Sequence, residues 1–373
     1  MQKVLVVGQT PPPYHGQAIM IDRLVSYDFD KVEIHFVRMA FSHNLEEVGA
    51  FRFGKILHLF RLIWKILSVR FKYGVKLLYY PPSGPVKLSI YRDVIILNCV
   101  RPFFDKVVFH FHAGGISEEY PEMLTILKPL FRKAFYEADA SILLSSKNPQ
   151  DGKNMYSKNQ IVIPYGVIDE ATILNGKVVK IGDPIVRVLF VGAVRETKGV
   201  DVLIESAYLL KKKGVTNFEF QIVGPFFTEE YEASAIAKVK KMGLQKEVVF
   251  KGLLVGEAKQ KAYRQADIFC FPTFYEAETF GIVLLEAMQF DLPVVASSWR
   301  GIPDIVTDGE EGFLVPIKSP SCVADRLQTL IENPDLRKKM GKKGRQTFET
   351  KFTMDVFMNK MQDLFIQVGE KNA

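Results

Sequence analysis

Glu278 and Glu286 stand eight positions apart in the stretch PTFYEAETFGIVLLEAMQFDLP, residues 272–293. The apolar run Ile268–Phe271 ahead of it reads as a buried strand that ends at Pro272. A polar loop follows, with Glu276 and Glu278, and Gly281 opens an apolar helix from about Ile282 to Phe290. Strand, glycine-containing loop and helix start together make an anion site, because unpaired backbone N–H groups and the helix dipole both favour negative charge. Two carboxylates beside a phosphate would repel it, so a plain role stands next to the chemical one for each. Glu278 could serve only the first turn of the helix, and Glu286 could be a solvated face residue. Against the second, Glu286 sits between Leu285 and Ala287 in a mostly apolar helix, where an unpaired acid is costly. Such a carboxylate needs donors, and ribose hydroxyls are good ones.

A second set of charges lies in VLFVGAVRETKGVD, residues 188–201. A buried strand delivers Arg195 and Lys198 in a loop before a helix over Val202–Lys211. Two cations three apart at a strand's carboxyl end suit a diphosphate, although a solvated loop with incidental charge has the same composition. In VVFHFHAGG, residues 107–115, a strand runs into a glycine loop. His112 sits at the strand end, where open α/β sheets bind ligands, and His110 one pleat further in reads as a satisfied core histidine. In QTPPPYHGQA, residues 9–18, three prolines stiffen a loop and Gly16 permits close backbone approach at a helix start; a plain turn is the other reading.

These loops need strands to carry them, and strand and helix signals alternate from end to end, which predicts α/β layers with parallel sheets. The expected strands are Val4–Val7, Ile34–Val37, Leu77–Tyr80, Val107–Phe111, Ala140–Leu144 and Ile161–Ile163, then Val186–Val191, Phe218–Val223, Val248–Phe250, Ile268–Phe271, Val294–Ala296 and Phe313–Val315. Two domains fit the 373 residues, 1–175 and 185–353, joined by a short polar segment with two glycines and a proline.

Charge and apolar content are those of a globular protein. Cys99, Cys270 and Cys322 lie far apart without metal spacing and read as reduced thiols in a cytoplasmic protein. A first strand from Lys3 argues against a signal peptide, and no apolar run approaches the roughly 18 residues of a membrane span. Residues 1–185 hold 23 Lys+Arg against 17 Asp+Glu, leaving 26 against 25 for the rest, so +6 of the net +7 belongs to the first half. Within it, residues 51–76 carry Arg52, Lys55, Arg61, Lys65, Arg70, Lys72 and Lys76 and no acid, while Ile56, Leu59, Phe60, Ile63 and Leu67 recur at helical spacing beside Trp64. This is a core-facing helix with a solvated basic face or a helix lying on an anionic membrane. No nucleic-acid motif accompanies the charge.

The stretch around the two glutamates resembles the E-x7-E motif of retaining glycosyltransferases of family 4. The glutamate spacing, Phe280-Gly281 and Glu286-Ala287-Met288 match it, and so does the text beyond, LPVVA (292–296) and GIPDIV (301–306). Arg195 and Lys198 resemble the family's phosphate loop, and PYGVID (164–169) resembles its P-N-G-V-D text with Tyr165 in place of Asn. The resemblance implies a GT-B fold, two Rossmann-like domains facing across a cleft, with a last helix, Met354–Val368, returning to the first. It makes 1–175 the acceptor domain and 185–353 the nucleotide-sugar domain. It implies transfer of a sugar from a nucleoside diphosphate sugar to a hydroxyl acceptor, free or lipid-linked, in cell-surface polysaccharide or glycolipid synthesis. Glu278, His112, Arg195 and Lys198 are the catalytic set it implies. Gly16, Arg195, Lys198, Leu253, Thr279, Phe280, Gly281 and Glu286 are the donor-binding set. His15-Gly16 stands where the family has paired glycines, so only Gly16 carries over. No Asp-x-Asp stands in these loops to hold a metal, and the resemblance implies protein cations in its place, with no cofactor. The rival readings are another GT-B enzyme, an epimerase or phosphorylase, and a catalytically silent nucleotide-sugar-binding subunit of a polysaccharide assembly complex.

Overall fold

Val4 to Val7 is an unbroken apolar run, and all four side chains are fully buried. They form the middle of β1 (Gln2–Gly8), which pairs in parallel with β2 (Val32–Arg38) on one edge and β3 (Leu77–Tyr80) on the other. A parallel strand covered on both faces has no solvent side, so its sequence shows no alternation. The computed structural model describes residues 1–12, 16–39, 53–173 and 185–370. His15, Arg52 and the 175–184 joint lie outside the described residues, as do the side chains of Lys55 and Ile56.

The chain divides into two compact units, residues 1–165 with 357–373 and residues 166–356. In the first, β4 (Lys106–Phe111), β5 (Ala140–Leu143) and β6 (Gln160–Val162) complete a parallel sheet ordered β2-β1-β3-β4-β5-β6. Its helices are α1 (Gly16–Ser26), α2 (Phe53–Tyr73), α3 (Lys87–Val100), α4 (Lys128–Phe135) and the short α5 (Asp151–Asn154). On α2, Leu62 and Ile66 are buried and Leu59, Ile63 and Leu67 pack partly against the core. Phe60 does not follow the apolar spacing into the core: it is 65% exposed, on the side that also carries Trp64, Arg61 and Lys65.

The second unit repeats the plan. Its strands β7 (Val186–Val191), β8 (Phe218–Val223), β9 (Val248–Gly252), β10 (Ile268–Phe271), β11 (Val294–Ser297) and β12 (Gly312–Val315) form a parallel sheet ordered β12-β11-β10-β7-β8-β9. Its helices are α6 (Glu170–Ile173), α7 (Val200–Lys212), α8 (Glu229–Lys241), α9 (Gly256–Gln265), α10 (Ile282–Met288), α11 (Pro320–Glu332) and α12 (Pro334–Lys351). All twelve expected strands are present, with ends within two residues of expectation. The helix after Gly281 stops at Met288 rather than Phe290, and Asp291, with φ of 55°, turns the chain toward β11.

The last helix, α13, spans Met354–Glu370. From Phe357 onward it belongs to the first unit, where Phe357, Met361, Leu364 and Phe365 are buried. The Phe365 ring stands edge-on to Tyr79 of β3 with centroids 5.7 Å apart. Each such side chain stabilises by about 1.5–3 kcal/mol, and Gln362 of the same helix accepts from the Lys31 N–H at 3.1 Å.

Candidate functional site

Open parallel sheets bind ligands beyond the carboxyl ends of the strands, at the point where the order reverses. In the second unit the chain runs from β7 outward through β8 and β9, then returns to lay β10 on the other side of β7. The loops leaving β7 and β10 therefore emerge side by side, and they carry Arg195, Lys198 and Glu278.

The loops are tied at the backbone. Phe274 N–H donates to the Thr197 carbonyl at 2.8 Å. Gly199, with φ of 83°, comes so close that a Cβ there would collide with the Pro272 carbonyl oxygen. The loop after β8 joins them: Val194 N–H donates to the Pro225 carbonyl at 2.8 Å and Phe227 N–H to the Val194 carbonyl at 3.1 Å.

Lys198 Nζ lies 2.5 Å from Glu278 Oε2, with Glu278 buried and Lys198 half-buried. The ammonium is also 4.7 Å from the centre of the Tyr275 ring. Arg195 Cζ is 4.9 Å from the same ring and 4.3 Å from that of Phe227. Two cations from one loop thus converge on one ring, and one of them pairs with a buried carboxylate. A diphosphate has the charge to compete with Glu278 for Lys198 and the geometry to take a guanidinium by two oxygens.

Glu286 has partners of its own. Lys259 Nζ donates to Oε1 and the Tyr263 hydroxyl to Oε2, each at 2.8 Å. Burial, with Glu286 beside it, holds the Tyr263 phenol far above its usual range, so it stays protonated and donates. Each carboxylate oxygen keeps a second lone pair, which leaves capacity for ribose hydroxyls beside the protein donors. Gly281, with φ of 85°, caps α10; a side chain there would be strained. Phe280 is buried, Thr279 is half-buried, and Leu253 stands 65% exposed just after β9.

The other two expected residues belong to the first unit. Gly16 opens α1. His112 follows β4, one strand beyond the reversal between β1 and β3, and is buried with its Nδ1 hydrogen-bonded to the Tyr165 hydroxyl. Its ring stacks on His110 at 4.0 Å. His110 is wholly buried, with Nδ1 2.6 Å from the Tyr79 hydroxyl, and burial lowers its pKa to about 3. It is a neutral core residue.

Tyr275, Phe227, Lys259 and Tyr263 surround these charges and were not singled out by the sequence. Lys259 and Tyr263 had a signal, since four apart on a helix they share one face. Nothing local pairs that face with Glu286.

Residues 177–347 match the family described as glycosyl transferases group 1. The capsular polysaccharide biosynthesis glycosyltransferase CapM of Staphylococcus aureus is 27% identical over 180 residues, 47% of this chain and 44% of CapM. The O-antigen chain mannosyltransferase C of Escherichia coli is 24% identical over 299 residues, 75% of this chain and 77% of that protein. For CapM and several other curated relatives, the match spans less than half of the relative's length. HepE of Anabaena, solved in complex with UDP, superposes with a TM-score of 0.70 over 98% of this chain and 100% of its own at 16% identity. The fold is GT-B, and the matches together support a GT-B glycosyltransferase.

Proposed function

We propose that this protein is a retaining glycosyltransferase of the E-x7-E type that transfers a sugar from a nucleoside diphosphate donor to a hydroxyl acceptor. The observation that carries this reading is the meeting of Arg195, Lys198 and Glu278 on the loops of the two strands where the second sheet reverses its order. Departure of a nucleoside diphosphate builds charge on the β-phosphate. Arg195 and Lys198 stabilise that charge as fixed cations, in the place a metal ion would take. Glu278 exchanges its bond with Lys198 for the donor sugar's hydroxyls, and the backbone at Thr279, Phe280 and Gly281 lines the phosphate side. Glu286 receives the ribose and Leu253 the base. Gly16 and His112 keep the roles the resemblance implies, Gly16 toward the diphosphate or sugar and His112 toward the sugar.

A lipid-linked acceptor at the inner face of the membrane belongs to the same reading. The relatives named for capsule and O-antigen synthesis support its polysaccharide setting. The membrane contact is supported by α2, whose outward side offers Phe60 and Trp64 among cations. No helix among the described residues is long and apolar enough to cross a membrane, so contact would be peripheral. The deciding experiment is a thermal-shift screen of nucleoside diphosphates and their sugars. One of them raising Tm in a concentration-dependent way, followed by transfer with retained anomeric configuration, is the expected result. No shift with any of them overturns the proposal.

A further inference from the structure

Arg195 does not reach out from its loop alone. Its guanidinium lies between two aromatic rings, Phe227 from the loop after β8 and Tyr275 from the loop after β10. Lys198 shares the Tyr275 ring. We propose that Tyr275 and Phe227 are positioning residues that hold Arg195 and Lys198 in place for the diphosphate of the donor; this rests on the phosphate-clamp reading above.

Two cations three residues apart repel each other, and each has long, mobile stems. Left to themselves, Lys198 would settle wholly on Glu278 and Arg195 would swing into water. Aromatic faces carry negative charge density and attract cations without neutralising them. A ring can therefore order the side chain and leave its positive charge available to a phosphate. A carboxylate in the same place would compete with the ligand. Order present before binding is entropy not lost on binding, and donors already aimed need no reorganisation as charge develops.

A purely structural role fits these rings poorly. Phe227 is 62% exposed, so little of it supports the core. Tyr275 is anchored through its main chain, with its N–H donating to Thr273 Oγ1 at 3.3 Å and its carbonyl accepting from Trp299 Nε1 at 2.9 Å. Its ring is left to face the two cations.

The test has a ligand-free arm and a binding arm. In the NMR spectrum of the free protein, the Arg195 side-chain protons should show ring-current shifts that shrink in Phe227→Leu and in Tyr275→Leu and vanish in the double variant. Calorimetry with UDP, GDP, ADP, CDP and dTDP then identifies the tightest nucleoside diphosphate. Each leucine variant should weaken it about tenfold, within the range of a partly desolvated cation–π contact. Tyr275→Phe should restore the affinity that Tyr275→Leu loses, since the contact uses the ring and not the hydroxyl. In an Arg195→Ala background, Phe227→Leu should have little further effect, because its partner is gone. Unshifted Arg195 protons, or leucine variants that bind like the wild type, overturn the proposal and leave the phosphate clamp standing. A wild type that binds none of the five diphosphates overturns the clamp, and the positioning role with it.

Discussion

The Lys198–Glu278 pair joins two groups that the proposed reaction uses for different ends, a cation for the leaving phosphate and a carboxylate for sugar hydroxyls. Without ligand each satisfies the other. Arg195→Ala should leave the fold intact and cut kcat/KM; Lys198→Ala should cut kcat/KM as well and cost some stability, because buried Glu278 loses this partner. One lost donor to a developing anion costs on the order of 3 kcal/mol, about a hundredfold in rate. Near-wild-type kcat/KM in both variants, measured with the cognate donor, would remove these residues from the chemistry. A second residue-scale expectation concerns His110. Burial makes its charged form unfavourable, so the folded chain resists a proton down to about pH 3 while the unfolded chain takes one near 6.5. The folded state is fully favoured above pH 6.5 and loses stability as pH falls toward 3, by at most about 1.4 kcal/mol per pH unit for this one group. His110→Gln, which keeps an acceptor for the Tyr79 hydroxyl, should flatten the decline of Tm across that window. An unchanged pH profile would show that His110 is not held neutral.

At the scale of elements, α2 has one side in the core through Leu62 and Ile66 and another, with Phe60 at 65% and Trp64 at 72% exposure, facing out among Arg61 and Lys65. Each cation near an anionic bilayer contributes roughly 1 kcal/mol at most, screened by salt, and the aromatic rings add insertion into the interface. The protein should sediment with anionic vesicles at low salt and release at high salt. Arg61→Glu with Lys65→Glu should abolish this, and equal partitioning of wild type and double variant would sink the membrane reading. The strands were the most legible elements, because a parallel strand buried on both faces reads as an apolar run: Ile268–Phe271 begins and ends as expected, and so does Val186–Val191, where Arg187 alone interrupts the run. The helix faces were less legible. On α2 the apolar residues exceed what one core-facing stripe holds, and spacing alone did not say that Leu62 and Ile66 would turn inward while Phe60 turned out. The partners of the site were hidden for a different reason. Arg195 meets Tyr275, and Glu286 meets Lys259 and Tyr263, only because the sheet order places distant loops and helices together. Spacing along the chain carries no record of that order.

For the whole molecule, the proposed clamp of protein cations gives transfer that survives EDTA. Loss of activity on chelation, restored by Mg²⁺ or Mn²⁺, would require a metal in the mechanism. A nucleoside diphosphate sugar at about 100 times its Kd should add about 2.7 kcal/mol of stability, readable as a higher Tm. The split composition of the first unit has a further consequence, for synthesis. Residues 166–356 are contiguous and can close their sheet as soon as they leave the ribosome. The first unit, emerging earlier, lacks the stretch from Phe357 whose Phe365 covers Tyr79. At about 5–20 residues per second, that gap leaves apolar surface uncovered for on the order of ten seconds or more. Nascent chains stalled before Phe357 should then recruit holding chaperones through their earliest-made half, and the later-made half should be the first to resist protease.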